Sequence, residues 1–187
     1  KVMLSPLGLP CNRPPWGVLA AVDVKGGKVL WESTLGTTEQ LAPLGIALAT
    51  GTPTFGGSLA TAGGLVFIGA AMDKYLRAFD ARTGEELWRG RLSATAFATP
   101  MTYEWQGRQY VVIAAGGHAG LGTEPGDSFV AFALALPGEA GPTWWSRTID
   151  RPGGRMWINL AMVLGGALAV VGGLWSLIKR WRAHSRN

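Results

Sequence analysis

The stretch Ala78-Phe-Asp-Ala-Arg-Thr-Gly-Glu-Glu-Leu-Trp88 matches an earlier one, Ala21-Val-Asp-Val-Lys-Gly-Gly-Lys-Val-Leu-Trp31. Both read Ala-x-Asp, then a glycine-containing turn, then Leu-Trp, and the two copies start 57 residues apart. Each copy predicts a β-hairpin, because two short apolar runs flank a polar glycine turn. The aspartates hold the turn by accepting backbone N–H bonds, and the tryptophans are large apolar plates suited to wedging between sheets. We therefore interpret four residues as structural repeat positions: Asp23, Trp31, Asp80 and Trp88.

Other short apolar runs predict more strands in residues 1–136. They lie at 64–69, 101–104, 109–115 and 128–134, and many of the 28 glycines separate them. Short strands with glycine turns are typical of sandwiches, barrels and propellers, and the repeat favours propeller blades. The expected fold is mainly β, a partial β-propeller of about two four-stranded blades. Because two blades leave apolar faces and sheet edges uncovered, these faces are expected to contact partner proteins.

A long uncharged segment follows this part of the chain. Residues 156–178 contain no charged side chain and are long enough to cross a hydrocarbon core as one transmembrane helix. Residues 137–155 are then a linker with interfacial tryptophans, and residues 179–187 are a basic tail. Since basic residues are more numerous after the segment, the expected topology is single-pass in a bacterial inner membrane, with the N-terminal domain periplasmic and the tail cytoplasmic. Small residues at four-residue spacing indicate a helix-packing face toward other membrane subunits: Gly165, Ala169 and Gly173.

Charge and composition exclude several kinds of site. The net charge is +5, but residues 1–138 carry ten basic and ten acidic side chains, so the excess flanks the uncharged segment. That distribution indicates contact with a lipid bilayer and not with nucleic acid. One cysteine, Cys11, and two histidines leave no intrachain disulfide and no Cys/His metal cluster. No catalytic or metal-binding residue is predicted.

Longer motifs resemble the late region of membrane-bound pyrroloquinoline quinone (PQQ) dehydrogenases of the glucose dehydrogenase type. They include Ser5-Pro-Leu-Gly-Leu-Pro-Cys-Asn-Arg-Pro-Pro-Trp-Gly17 and Met72-Asp-Lys-Tyr-Leu-Arg-Ala-Phe79, and continue through residues 51–69, 99–104 and 109–118. The resemblance implies an eight-bladed propeller in the full-length family. It also implies PQQ with calcium or magnesium as cofactors, and oxidation of sugars or alcohols with electron transfer to quinone.

The resemblance carries over one candidate site residue, Asp73. It looks like an acidic position that influences cofactor and metal binding, and a turn residue between strands is an equally good interpretation. The family's catalytic aspartate and a cofactor-binding lysine have no counterpart in this chain. The membrane segment after residue 136 also departs from the family, whose anchors are N-terminal.

Three functions are compatible with these features. The first is a membrane-anchored accessory subunit without catalysis of its own, derived from a PQQ dehydrogenase and docked on a respiratory or photosynthetic complex. The second is the C-terminal part of an active PQQ-dependent sugar or alcohol dehydrogenase that donates electrons to quinone. The third is a module that binds a soluble electron carrier, which the neutral charge of residues 1–138 disfavours.

Overall fold

The computed structural model describes residues 5–6 and 10–135, and these residues form a set of antiparallel strands. The predicted linker 137–155, the segment 156–178 with Gly165, Ala169 and Gly173, and the tail 179–187 lie outside the described residues. The strands are β1 (Val18–Asp23), β2 (Lys28–Thr34), β3 (Ser58–Ala60), β4 (Leu65–Ile68), β5 (Tyr75–Asp80), β6 (Glu86–Arg91), β7 (Met101–Trp105), β8 (Arg108–Ala115) and β9 (Ser128–Ala133). Short 3₁₀ helices cover Thr38–Gln40, Pro43–Gly45 and Ala119–Leu121.

The strands form three sheets in chain order. β1 pairs with β2, then β3-β4-β5-β6 form a four-stranded sheet, and β7-β8-β9 form a three-stranded sheet. We call them the first, second and third sheets. The described chain is therefore mainly β with partial, propeller-like sheets, as the repeat predicted.

The expectation of two four-stranded blades is wrong in its strand count. One sheet of the described part has four strands, and its neighbours have two and three. The reason is the place of the repeat within a blade: the Asp-to-Trp hairpin forms the last two strands of the second sheet, β5 and β6. The first copy accordingly supplies only β1 and β2.

Strand β5 is buried on both faces, which explains why its sequence does not alternate between apolar and polar residues. Phe79 packs in a core cluster between the first and second sheets, with Leu35 and Ile68. Leu76 packs in a second cluster between the second and third sheets, with Val111 and Ile113. When both faces of a strand are covered, consecutive residues are buried and the sequence does not alternate.

The two repeat turns are held by their aspartates. Asp23 Oδ1 accepts a hydrogen bond from the Lys25 backbone N–H at 3.0 Å. Asp80 Oδ1 accepts two, from the backbone N–H groups of Arg82 at 2.8 Å and Thr83 at 3.1 Å. These bonds fix the start of each turn, and both carboxylates therefore have a structural role.

The repeat tryptophans lie against the next sheet along the chain. Trp31 donates from Nε1 to the Ala81 carbonyl oxygen at 3.0 Å, and its ring covers Gly84 in the turn between β5 and β6. Trp88 packs edge-on against Phe132 of β9, with ring centroids 5.0 Å apart. Each tryptophan thus joins its own sheet to the following one.

Acid should weaken the Asp80 turn. Backbone hydrogen bonds from Arg82 and Thr83 lower the pKa of Asp80 below its ordinary value of 3.8. A carboxyl group with a lowered folded-state pKa stabilises the fold above its unfolded pKa of about 4, and this contribution is lost as pH falls through the folded value. We expect Asp80→Asn to lower the melting temperature at pH 7, with a smaller difference from the parent at pH 3. A melting-temperature difference that is equal at both pH values would contradict this assignment.

Candidate functional site

The long connections between strands meet at one end of the three sheets. Short turns join β1 to β2, β3 to β4, β5 to β6 and β7 to β8, so the remaining connections lie at the opposite end. We call this the connection end. Backbone hydrogen bonds tie its loops together: Ala70 N–H donates to the Ala96 carbonyl at 2.7 Å, and Gly117 N–H to the Thr95 carbonyl at 2.9 Å. Loops held by a rigid scaffold are where propellers and similar folds carry functional side chains.

Asp73 lies at this end, in the connection between β4 and β5, and is 1% exposed. Its Oδ2 accepts hydrogen bonds from the Thr37 backbone N–H at 2.7 Å and from Thr37 Oγ1 at 3.1 Å. Arg77 donates from Nη1 to Oδ1 at 2.9 Å and from Nη2 to Oδ2. Asp73 therefore joins the second sheet to the connection that leaves the first. A cofactor role for Asp73 stays a prediction.

Arg77 extends this buried ion pair along the sheet. Its Nε lies 3.3 Å from Glu86 Oε2, and Arg89 pairs with the other oxygen of Glu86. Burial alone would lower the pKa of Arg77, but the adjoining Asp73 carboxylate and then Glu86 raise it above its ordinary value. The guanidinium is therefore charged throughout the working range of pH.

A second set of buried polar groups lies beside the first. Tyr75 Oη donates to Glu39 Oε2 at 2.9 Å, and Arg91 Nη1 lies 3.2 Å from Glu39 Oε1 and 2.8 Å from Tyr75 Oη. The guanidinium carbons of Arg77 and Arg91 each lie 5.4 Å from the Tyr75 ring centroid. Burial, followed by the Glu39 charge, raises the pKa of Tyr75. Tyr75 thus donates to Glu39 as a neutral phenol.

An aromatic group at the connection end is the second candidate feature. Phe55, Phe97 and His118 come from three separate connections. The rings of Phe55 and His118 stack with centroids 6.1 Å apart, and Phe97 meets His118 edge-on at 5.7 Å. Phe55 is 53% exposed and His118 is also exposed, so this aromatic group can contact a ligand. Sequence reasoning did not find it, because the three residues share no spacing or motif.

The described residues do not by themselves form a metal site. Within residues 5–6 and 10–135, no three His, Cys, Asp or Glu side chains converge closely enough to hold a metal ion. Cys11 is an exposed free thiol. Nor does any helix in this described part have the length and apolarity needed to cross a membrane.

Comparison with known proteins identifies the fold family. Residues 1–111 match the family model described as the PQQ, glucose/ethanol/alcohol dehydrogenase β-propeller domain. The chain belongs to this family. The match includes the repeat hairpins and the connection that carries Asp73.

Relatives in this PQQ propeller family are named as dehydrogenases. The chain is 52% identical over 137 residues to quinoprotein glucose dehydrogenase A of Acinetobacter calcoaceticus, covering 72% of this chain and 17% of the relative. It is 49% identical over 135 residues to quinoprotein glucose dehydrogenase of Escherichia coli K12, covering 70% and 17%. The chain thus spans about a sixth of the length of these relatives.

A solved structure is also similar to part of this chain. The quinohemoprotein alcohol dehydrogenase of Comamonas testosteroni is 28% identical, with a TM-score of 0.47, over 72% of this chain and 19% of that structure.

Proposed function

We propose that this chain forms the C-terminal part of a PQQ-dependent dehydrogenase that oxidises a sugar or polyol and donates electrons to quinone. The observation that carries the proposal is the family match over residues 1–111, together with 45–52% identity to four dehydrogenases. Two of these are named for glucose, and two are named for quinate with quinone as acceptor. A glycerol dehydrogenase large subunit from Gluconobacter oxydans, 48% identical, adds a polyol to these substrates.

The chain's own residues fit a supporting role in such an enzyme. The described residues pack three sheets against one another and hold the connection end through the buried charges of Asp73, Arg77 and Glu39. PQQ, when bound, would supply the redox chemistry, and Phe55, Phe97 and His118 provide exposed aromatic surface for a planar or sugar-like ligand. The metal ligands and the catalytic base would come from other parts of the enzyme.

The competing interpretation is an accessory subunit that has lost catalysis. The relatives named above are dehydrogenases, which favours the enzyme. The test is dye reduction by the native protein after addition of PQQ and Ca²⁺ or Mg²⁺, with glucose, glycerol and quinate as substrates. We expect reduction that requires both PQQ and one of these substrates. Equal rates with and without PQQ would instead favour the accessory subunit.

We also propose that residues 156–178 anchor the protein in a bacterial inner membrane, with residues 1–136 on the periplasmic side. Support comes from the 23 uncharged residues and the basic residues that follow them. A helix-packing face at Gly165, Ala169 and Gly173 would then contact other membrane subunits.

Truncation tests this anchor. Deleting residues 156–187 is expected to move the protein from the membrane fraction to the soluble fraction, because the apolar segment is what favours the bilayer. The matched control deletes only residues 179–187 and is expected to stay in the membrane fraction. If the longer deletion remains membrane-bound after a high-salt wash, the anchor lies elsewhere.

A further inference from the structure

The Asp73 carboxylate is buried and already engaged by four donors. Three of them reach Oδ2 and one reaches Oδ1. Asp73 accepts four hydrogen bonds, two from Thr37 and two from Arg77. The Arg77 side chain is itself 2% exposed and also pairs with Glu86. To coordinate a metal or cofactor, Asp73 would have to weaken its bidentate pair with a buried guanidinium and leave Glu86 as the only carboxylate named here beside that charge, which is costly in a buried ion pair.

The two bonds that Thr37 donates connect two loops that are distant in sequence. Thr37 lies in the connection between β2 and β3, while Asp73 precedes β5. Beside them the Met72 backbone N–H donates to Thr52 Oγ1 at 2.9 Å, and Thr52 is fully buried in the same β2–β3 connection. The two connections are therefore hydrogen-bonded to each other at two adjacent points. We call the set Thr37, Asp73 and Arg77 the loop lock.

We propose that Asp73 is a positioning residue: through the loop lock it fixes the connection end, and it influences PQQ binding by that route instead of by ligating PQQ or its metal. This inference rests on the proposed function for its cofactor. Displacing the β2–β3 connection against the β4–β5 connection would move the side chains that these connections carry, Phe55 among them, so loss of either lock partner is expected to have the same consequence for a bound ligand.

A double-mutant cycle on the native protein tests the loop lock. Asp73→Asn, Arg77→Gln and the double variant are compared by equilibrium titration with PQQ and, separately, with Ca²⁺. Residues in one buried network are strongly coupled, so we expect each single change to weaken PQQ binding about tenfold and the double change to be no worse. The Ca²⁺ concentration at half-saturation should shift equally in the two single variants. Additive losses, with a Ca²⁺ shift in Asp73→Asn alone, would show that Asp73 is a ligand.

A matched control separates positioning from general loss of stability. Val111→Ala alters the core cluster between the second and third sheets on its short-turn side, where Val111 lines a cavity together with Thr61 and Gly107. We expect it to lower the melting temperature and leave the PQQ dissociation constant unchanged. A weakened PQQ affinity in this control would overturn the positioning role.

Hydrogen exchange distinguishes failure of the lock from failure of the proposed function. If the parent protein binds no PQQ, the proposed function is wrong and the cofactor part of the inference fails with it. The lock itself is then judged by amide exchange in residues 37–52. Faster exchange in both Asp73→Asn and Arg77→Gln supports the lock, and unchanged exchange in either one contradicts it.

Discussion

Replacing Arg77 by Met is expected to lower the free energy of unfolding by about 3–5 kcal/mol, since it leaves a buried carboxylate unpaired. Asp73 is 1% exposed, and Arg77 supplies two of its four hydrogen bonds. The same change removes the partner of Glu86 Oε2. Methionine fills much of the volume of the arginine stem, so the decrease in the free energy of unfolding comes mainly from the lost charge. Chemical denaturation of the full chain, followed by tryptophan fluorescence, measures it.

Arg82→Met is the matched control for this prediction. Arg82 also lies near an aspartate, with Nη2 3.8 Å from Asp80 Oδ2, but its side chain is 88% exposed. Exposed ion pairs contribute about 0–1 kcal/mol. We expect the control to unfold almost like the parent. If both variants lose the same free energy of unfolding, burial of the Asp73–Arg77 pair does not add to stability.

Replacing Gly84 by Ala is expected to lower the free energy of unfolding by about 2–4 kcal/mol, through backbone strain and overpacking together. Gly84 has a φ of +72°, and a Cβ there would lie 2.6 Å from Cδ2 of Trp31 and 2.8 Å from Ser33 Oγ. Neither neighbour can easily withdraw, because Trp31 and Ser33 each donate a hydrogen bond to the same turn. The change is therefore expected to push the first sheet away from the second.

The equivalent glycine in the first copy of the repeat provides the control. Gly27 has a φ of +62°, and a Cβ there would meet no atom within 4 Å. Gly27→Ala consequently carries the backbone strain alone, about 1–2 kcal/mol. We expect thermal unfolding to give Gly84→Ala a clearly lower melting temperature than Gly27→Ala. If they melt together, the Trp31 contact does not hold the sheets.

Local spacing explains how much of the fold could be predicted. Asp80 and Trp88 belong to one hairpin, so their separation in sequence fixes the turn and the strand that follows it. The distribution of strands among sheets could not be predicted in the same way. β3 has only three residues, Ser58–Ala60, and nothing in its sequence marks it as the first strand of the second sheet.

The polar contacts of the candidate site were harder to predict because their partners are far apart in the chain. Thr37 and Asp73 are 36 positions apart, and Glu39 and Arg91 are 52 apart. One local signal was present. Arg77 stands between Leu76 and Ala78 in a run buried on both faces, and a charged residue in such a place requires a buried partner.

The most direct test of the proposed PQQ dehydrogenase function is a PQQ titration of the native protein in the presence of Ca²⁺, monitored by its intrinsic tryptophan fluorescence. The proposal predicts saturable binding of one PQQ per protein, with affinity that falls when Ca²⁺ is chelated. A fluorescence signal that changes only in proportion to added PQQ, without saturation and with no response to chelator, would contradict it.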